Sequence, residues 1–309
     1  MKELYKKYRP TKFSEIIGQD TPVKILQTKL KKNTLPHTLL FSGPSGCGKT
    51  TLARILKRKL KCGKHDFKEL NAADFRGIEM VRDIRSHLYQ APINGKCRIW
   101  LIDECHRITT DAQNAFLKML EDTPNHVYFM LATTDPQKLK NTIRTRCTEI
   151  VVKNLTDKSL MSLLTNICKK EKVSINKDVL DKIIECSNGS ARKALVFLNQ
   201  VIELDDEDDM IEAIKATTVE VQAIAIARAL LNPRTKWMDM TKVLKESLNE
   251  EPEQIRWMIL GYAKKVLLSG GKFSGRAYLI IDAFRDHFYD SKWAGLTASC
   301  YEIIVGAKE

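Results

Sequence analysis

The stretch Leu39-Leu40-Phe41-Ser42-Gly43-Pro44-Ser45-Gly46-Cys47-Gly48-Lys49-Thr50-Thr51 decides the fold. A short apolar run, Leu39 to Ser42, leads into GxxxxGKT, and an amphipathic pattern from Thr50 to Lys61 follows it. The order strand, glycine-rich loop, helix is what gives the motif its meaning. Glycines let the loop wrap so that backbone N–H groups face phosphates, Lys49 reaches the β- and γ-phosphates, and Thr50 offers its hydroxyl to Mg²⁺. The residues Gly43 to Thr51 thus predict a site for ATP with Mg²⁺.

Working outward, further apolar, β-branched runs occur at Phe67 to Leu70, Arg98 to Ile102, Val127 to Ala132 and Thr148 to Val152, with helical patterns such as Asp111 to Glu121 between them. Strand alternating with helix predicts a five-stranded parallel sheet covered on both faces, an α/β domain over residues 1–153. After Asn154 the strand signals stop. Leu160, Leu163, Leu164 and Ile167, then Val179, Ile183 and Ile184, then Ala194, Leu195, Leu198, Val201 and Ile202 keep helical spacing, which predicts a small helical domain over 154–210. The acidic run Asp205 to Asp209 reads as a solvated linker. Ile255, Met258, Ile259, Tyr262 and Val266 describe another helical face, and a third, all-helical domain is expected over 214–309.

Composition narrows the class. Among 309 residues, 51 Lys and Arg stand against 38 Asp and Glu, a net charge of +13. Residues 1–70 alone hold 17 basic and 5 acidic side chains, which suggests an anionic partner such as nucleic acid or nucleotide phosphate. The longest apolar run, Val127 to Ala132, is far short of the ~20 residues of a membrane span, and the opening MKELYKKYRP has no secretory apolar stretch. Eight cysteines without a CxxC pair argue for reduced thiols in a cytoplasmic protein and against a disulfide framework or zinc module.

The strand Arg98-Ile-Trp-Leu-Ile102 runs into Asp103-Glu104-Cys105-His106. An apolar strand ending in two acids supplies the second half of a nucleotide-hydrolysing site. Asp103 holds Mg²⁺ through water, and Glu104 orients and polarises the attacking water. The letters DECH also suggest a DExH helicase, but that would need a second motor domain, and nothing after Asn154 has the strands for one.

Taken together, Tyr8-Arg9-Pro10, Phe13-Ser-Glu-Ile-Ile-Gly18-Gln19, the phosphate loop, IWLIDECH, FLKMLEDTPNHVYFMLATTDPQKL, Ile143-Arg-Thr-Arg146-Cys147 and Gly189-Ser-Ala-Arg192-Lys-Ala-Leu resemble an AAA+ clamp-loader ATPase subunit. The chain is similar by motif to the bacterial DNA polymerase III gamma/tau subunit and to the small subunits of replication factor C, from Tyr5 to about Val201. The resemblance implies an AAA+ P-loop domain, a helical lid and a helical collar. It implies that Tyr8, Arg9, Pro10, Ile17 and Gly18 border the adenine, and that Thr134, with Thr133, is the first sensor of the γ-phosphate. Arg192 would be the second sensor, on the lid, and Arg146 an arginine finger reaching a neighbouring subunit's ATP. The partners implied are a ring of loader subunits, five in total, a sliding clamp and primer–template DNA, with no membrane.

Two departures refine this. Thr145 stands where the family writes serine beside the finger, and Arg144 is a second candidate finger. The four-cysteine zinc module of the bacterial relatives is missing after the first helix, and the stretch Arg76-Gly77-Ile78-Glu79-Met80-Val81-Arg82-Asp-Ile-Arg85 looks instead like replication factor C. There Arg82 and Arg85 share a helical face suited to phosphate contact with duplex DNA, and Arg107 is a further candidate. The loop His87 to Pro92 is the first place expected to meet the clamp. Cys47 and Cys147 read as tolerated small side chains rather than a redox switch. Other AAA+ DNA machines, a branch-migration motor or helicase loader, would need a DNA-reading module such as a C-terminal winged helix. A non-hydrolysing scaffold subunit would normally lack Lys49, Asp103 or Glu104, all present here.

Overall fold

The computed structural model describes residues 3–75, 77–248 and 250–306. Arg76 of the replication-factor-C-like stretch and residues 307–309 of the expected third domain lie outside the described residues. The chain forms two compact units, 1–203 and 204–309.

The first unit opens with α1 (Leu4–Lys7) and α2 (Asp20–Lys31) and alternates thereafter: β1 (Thr38–Ser42), α3 (Lys49–Lys59), β2 (Phe67–Asn71), α4 (Ile78–His87), β3 (Arg98–Asp103), α5 (Thr110–Glu121), β4 (Val127–Thr133), α6 (Asn141–Arg144) and β5 (Thr148–Val151). The strands make one parallel sheet in the order β2-β3-β4-β1-β5. Its three central strands are buried almost throughout, as their near-continuous apolar sequences require, while the edge strands β2 and β5 have exposed positions.

Side chains alternate across the sheet. Leu40, Trp100, Ile102, Phe129 and Leu131 pack with Val81 and Ile84 of α4 and Phe116 of α5. Leu39, Phe41, Ile99, Leu101, Met130 and Ala132 pack with Leu26 of α2 and with Leu52, Ile55 and Leu56 of α3. The register sets Ser42 beside Thr133, Ile102 beside Leu131 and Asn71 beside Asp103, so β1, β2, β3 and β4 end at nearly the same level. In an open parallel sheet that carboxyl edge is where ligands bind.

Three helices complete this unit: α7 (Asp157–Glu171), α8 (Lys177–Ser187) and α9 (Ala191–Val201). Each starts on a side-chain cap. Thr156 accepts from the N–H of Ser159, Asn176 from Asp178 and Ser190 from Lys193. The N-terminal segment is tied to them, because Leu4 N–H donates to Asn199 Oδ1 at 3.1 Å and Lys7 pairs with Glu171 at 2.7 Å.

The second unit contains α10 (Glu207–Leu231), α11 (Trp237–Lys245), α12 (Pro252–Leu268), α13 (Ser274–Ala283) and α14 (Lys292–Val305) around a core that includes Ile226, Leu230, Met240, Ile259, Phe284 and Leu296. Its regular elements are all helices among the described residues, so no strand is present there to form a wing. The acidic run expected as a linker is corrected: Asp206 accepts from the N–H groups of Asp208 and Asp209, and Glu207, Asp208 and Asp209 form the first turn of α10. Acids at a helix N-terminus satisfy orphan donors and complement the dipole. No helix among the described residues is long and apolar enough to cross a membrane.

Candidate functional site

The phosphate loop leaves β1 at Gly43, whose φ is +141°; an added Cβ there would lie 1.9 Å from the Val152 carbonyl oxygen. Only glycine lets the loop start this close to the chain beyond β5. The loop closes on Gly48, also at positive φ, which caps α3. Lys49 opens that helix, is buried, and donates from Nζ to the carbonyls of Gly43 and Pro44 at 2.8 Å each. Burial pulls its amine below the ordinary lysine range, and Glu104 and Asp103 oppose that pull.

At the end of β3, Asp103 accepts the Thr50 hydroxyl at 3.0 Å through Oδ2 and the Glu104 N–H at 3.0 Å through Oδ1. Hydroxyl and carboxylate oxygens held at this distance fit the hard-oxygen ligand set of Mg²⁺. Glu104 adopts left-handed backbone (φ 52°, ψ 38°) ahead of a single 3₁₀ turn, Cys105–Arg107. That conformation is uncommon outside glycine.

One cleft gathers most of the predicted residues. Tyr8, Arg9, Pro10 and Ile17 line it with Ser45 through Thr51, Asp103, Glu104 and Arg192. Gly18 backs the cleft rather than lining it: φ is +72°, and a Cβ would meet Leu155 Cγ at 3.2 Å. The lid contributes Leu163, Ala191 and Leu195 as well as Arg192. Sequence reasoning missed Tyr5, whose ring lies under the Arg192 guanidinium at 5.5 Å. Its spacing of three from Tyr8 was the available signal. Arg9 is driven below the ordinary arginine range by burial, then by Arg54 and Arg192, and Arg192 also acts on Lys49 in that direction. Cations that disfavour one another in a half-closed cleft make a well for a polyphosphate.

Other predicted residues stand elsewhere. Thr133 is fully buried at the end of β4 and its hydroxyl oxygen accepts from Asp135 N–H at 3.0 Å; Thr134 follows it, half-buried, outside the cleft lining. Arg146 is outside its own chain's cleft, bound to Glu121 and to the Thr142 carbonyl. Arg144 donates to Gln137 Oε1. On α4, Met80, Val81 and Ile84 face inward while Arg82 and Arg85 are exposed, Arg82 paired with Glu79 at 2.7 Å; Arg107 is exposed as well. Burial pushes the Cys47 thiol up, with Lys49 opposing it, and pushes that of Cys147 up to about 12.

A phosphate-loop sheet with a three-helix lid that returns an arginine to the nucleotide cleft is the architecture of the AAA+ ATPases, and this chain has it. Within that class it is similar to DNA polymerase III subunits. Residues 18–156 match the family described as DNA polymerase III, delta subunit, and residues 162–200 match the RCF1/5-like AAA+ ATPase lid domain. The chain is 36% identical over 222 residues to DNA polymerase III subunit gamma/tau of Mycobacterium tuberculosis H37Rv, covering 64% of this chain and 38% of that one. It is 30% identical over 290 residues to subunit tau of Bacillus subtilis, covering 86% and 51%. The chain thus spans about half or less of these relatives' length. The solved Thermotoga maritima RuvB Holliday junction branch migration motor superposes with a TM-score of 0.56 at 22% identity, over 72% of this chain and 78% of that one, a likeness of fold.

Proposed function

We propose that this chain is an ATP-hydrolysing subunit of a DNA sliding-clamp loader. The observation that carries the reading is that Lys49, Thr50, Asp103 and Glu104 share one cleft with Arg192 of the lid. Loop N–H groups and Lys49 hold the phosphates of ATP. Thr50 and Asp103 hold Mg²⁺, which when bound neutralises charge developing between the β- and γ-phosphates. Glu104 orients water for in-line attack, and Thr134, with Thr133, senses the γ-phosphate. Tyr8, Arg9, Pro10, Ile17 and Gly18 border the adenine.

Arg192 couples lid closure to bound ATP. Arg146 completes the site of the next subunit in a five-membered ring, where a cation delivered across the interface stabilises the transferring phosphoryl group. The helical segment 214–309 forms the collar of that ring. ATP binding holds a sliding clamp open on primer–template DNA, with Arg82, Arg85 and Arg107 against the duplex backbone, and hydrolysis releases the closed clamp. The similarity to gamma/tau subunits supports this cycle and a cytoplasmic, replisome-associated place for it. The test is ATP turnover with and without primer–template DNA and a sliding clamp. Stimulation by both is expected, and no response to either would sink the reading.

A further inference from the structure

The mechanism above leaves His106 unused, yet its side chain is only 10% exposed and sits between two parts of the site. Its Nδ1 is 3.5 Å from Glu104 Oε2 and 3.1 Å from Thr133 Oγ1. The turn that carries it is closed by Arg107 N–H donating to the Glu104 carbonyl at 2.9 Å, and Glu104 is itself fixed in left-handed backbone by its N–H bond to Asp103. His106 is therefore a polar side chain within reach of the Glu104 carboxylate that also touches the end of β4.

We propose that His106 is a positioning residue of the ATPase, its Nδ1 bonding either the Glu104 carboxylate or the Thr133 hydroxyl and so setting where Glu104 stands relative to the attacking water. The proposal rests on Glu104 being the water-orienting acid of the reading above. One nitrogen faces two oxygens, and a neutral imidazole offers there either a proton or a lone pair. With a proton on Nδ1, the ring donates to the carboxylate and holds it. With a lone pair, Nδ1 accepts the Thr133 hydroxyl hydrogen and releases the carboxylate, since two acceptors have nothing to share. The Thr133 oxygen already accepts from Asp135 N–H, which leaves its hydrogen available for the second arrangement. Burial holds the imidazole below its ordinary range; Glu104 and Asp135 act against this, and Lys138 and Arg107 act with it. A shift at the end of β4, next to Thr134, thus selects between a held and a released Glu104.

The test uses the full chain and basal ATP turnover, alongside the affinity for a fluorescent ATP analogue. His106→Ala is expected to lower kcat about tenfold or more with KM for ATP and analogue affinity unchanged. His106→Asn, whose amide N–H₂ takes the place of Nδ1, restores most of the rate, and His106→Gln, which reaches the other ring nitrogen's place, does not. In a Glu104→Gln background, His106→Ala adds no further loss. Parental kcat in His106→Ala overturns the proposal, and so does a loss shared equally by the Asn variant with weakened ATP affinity. Because the readout needs neither clamp nor DNA, an absent response to those partners rejects the clamp-loader reading and leaves this comparison intact.

Discussion

The backbone N–H of Arg192 donates to the carbonyl of Gly46 at 3.4 Å, so the lid helix α9 begins on the phosphate loop itself. Gly46 sits at φ +77°, and a Cβ there would lie 2.2 Å from Ser190 Oγ, the cap of that helix. Loop and lid are thus fitted to each other at one residue with no room for a methyl group. Gly46→Ala is expected to weaken ATP binding about tenfold or more and to cost ~1–3 kcal/mol of stability from backbone strain. Nucleotide titration and a thermal melt check it; parental affinity would show that the loop closes without the lid.

Substitutions of Lys49 and Glu104 should separate binding from chemistry. Lys49→Ala removes the cation that now rests on the Gly43 and Pro44 carbonyls and should abolish nucleotide binding. Glu104→Gln should bind ATP as the parent does while turnover falls about 100-fold or more. Chelation by EDTA should stop turnover in the parent, with Mg²⁺ restoring it. Tight binding by Lys49→Ala, or undiminished turnover by Glu104→Gln, would reassign the roles.

What is legible in the sequence is local. The phosphate loop, the β3 acids and the alternation of strand and helix write their signals within a few neighbouring residues, and β1 to β5 lie where the apolar runs place them. The start of helix α10 is hidden, because its acids look like solvated chain until the Asp206 cap turns them into a first turn. Its length is apolar on more than one side, which hides a periodic face. Tyr5 under Arg192, the Glu121–Arg146 pair and His106 between Glu104 and Thr133 depend on where the chain folds back, and beyond the spacing of Tyr5 from Tyr8 nothing local in the sequence announces them.

In the second unit, Glu253 and Arg256 make a buried ion pair: Nε donates at 2.8 Å, and the other Glu253 oxygen accepts from Phe288 N–H at 2.8 Å. Hydrogen bonding from Arg256 holds the Glu253 carboxyl below its ordinary value of 4.5. Its contribution is therefore fully present above that pH and lost as pH falls from 4.5 through the lowered folded value. Glu253→Gln should cost about 3–5 kcal/mol at neutral pH by leaving Arg256 buried without its anion, and the gap to the parent should shrink in acid. Urea unfolding at several pH values measures this; a pH-independent gap would mean the carboxylate charge is not what stabilises.

Arg146 meets Glu121 of its own chain, and both side chains are partly exposed. A finger that serves a neighbour's ATP must leave that pair. Exposed ion pairs contribute only about 0–1 kcal/mol, so the release is a small cost. Glu121→Ala should leave stability unchanged and ring turnover undiminished, whereas Arg146→Ala should lower turnover of the assembled ring about 10³-fold or more without touching ATP binding. Equal turnover of the Arg146→Ala ring would move the role to Arg144 or discard it.

Arg82 and Arg85 test the DNA face. Helix α4 buries Met80, Val81 and Ile84 against the sheet, so its outer side is held rigidly in place. Arginines three apart on that side suit two phosphates and offer no base readout. Replacing both with alanine should weaken binding of primer–template DNA by a similar factor for every sequence. It should also reduce the slope of log affinity against log salt by about 2, one for each phosphate that is no longer neutralised. To bind DNA, Arg82 would have to give up its pair with Glu79, an exposed i,i+3 ion pair. Glu79→Ala should therefore raise affinity modestly at low salt, because it removes a competing anion from the same face. Fluorescence anisotropy across a salt series measures all three variants, and an unchanged slope in the double arginine variant would place the duplex on another surface.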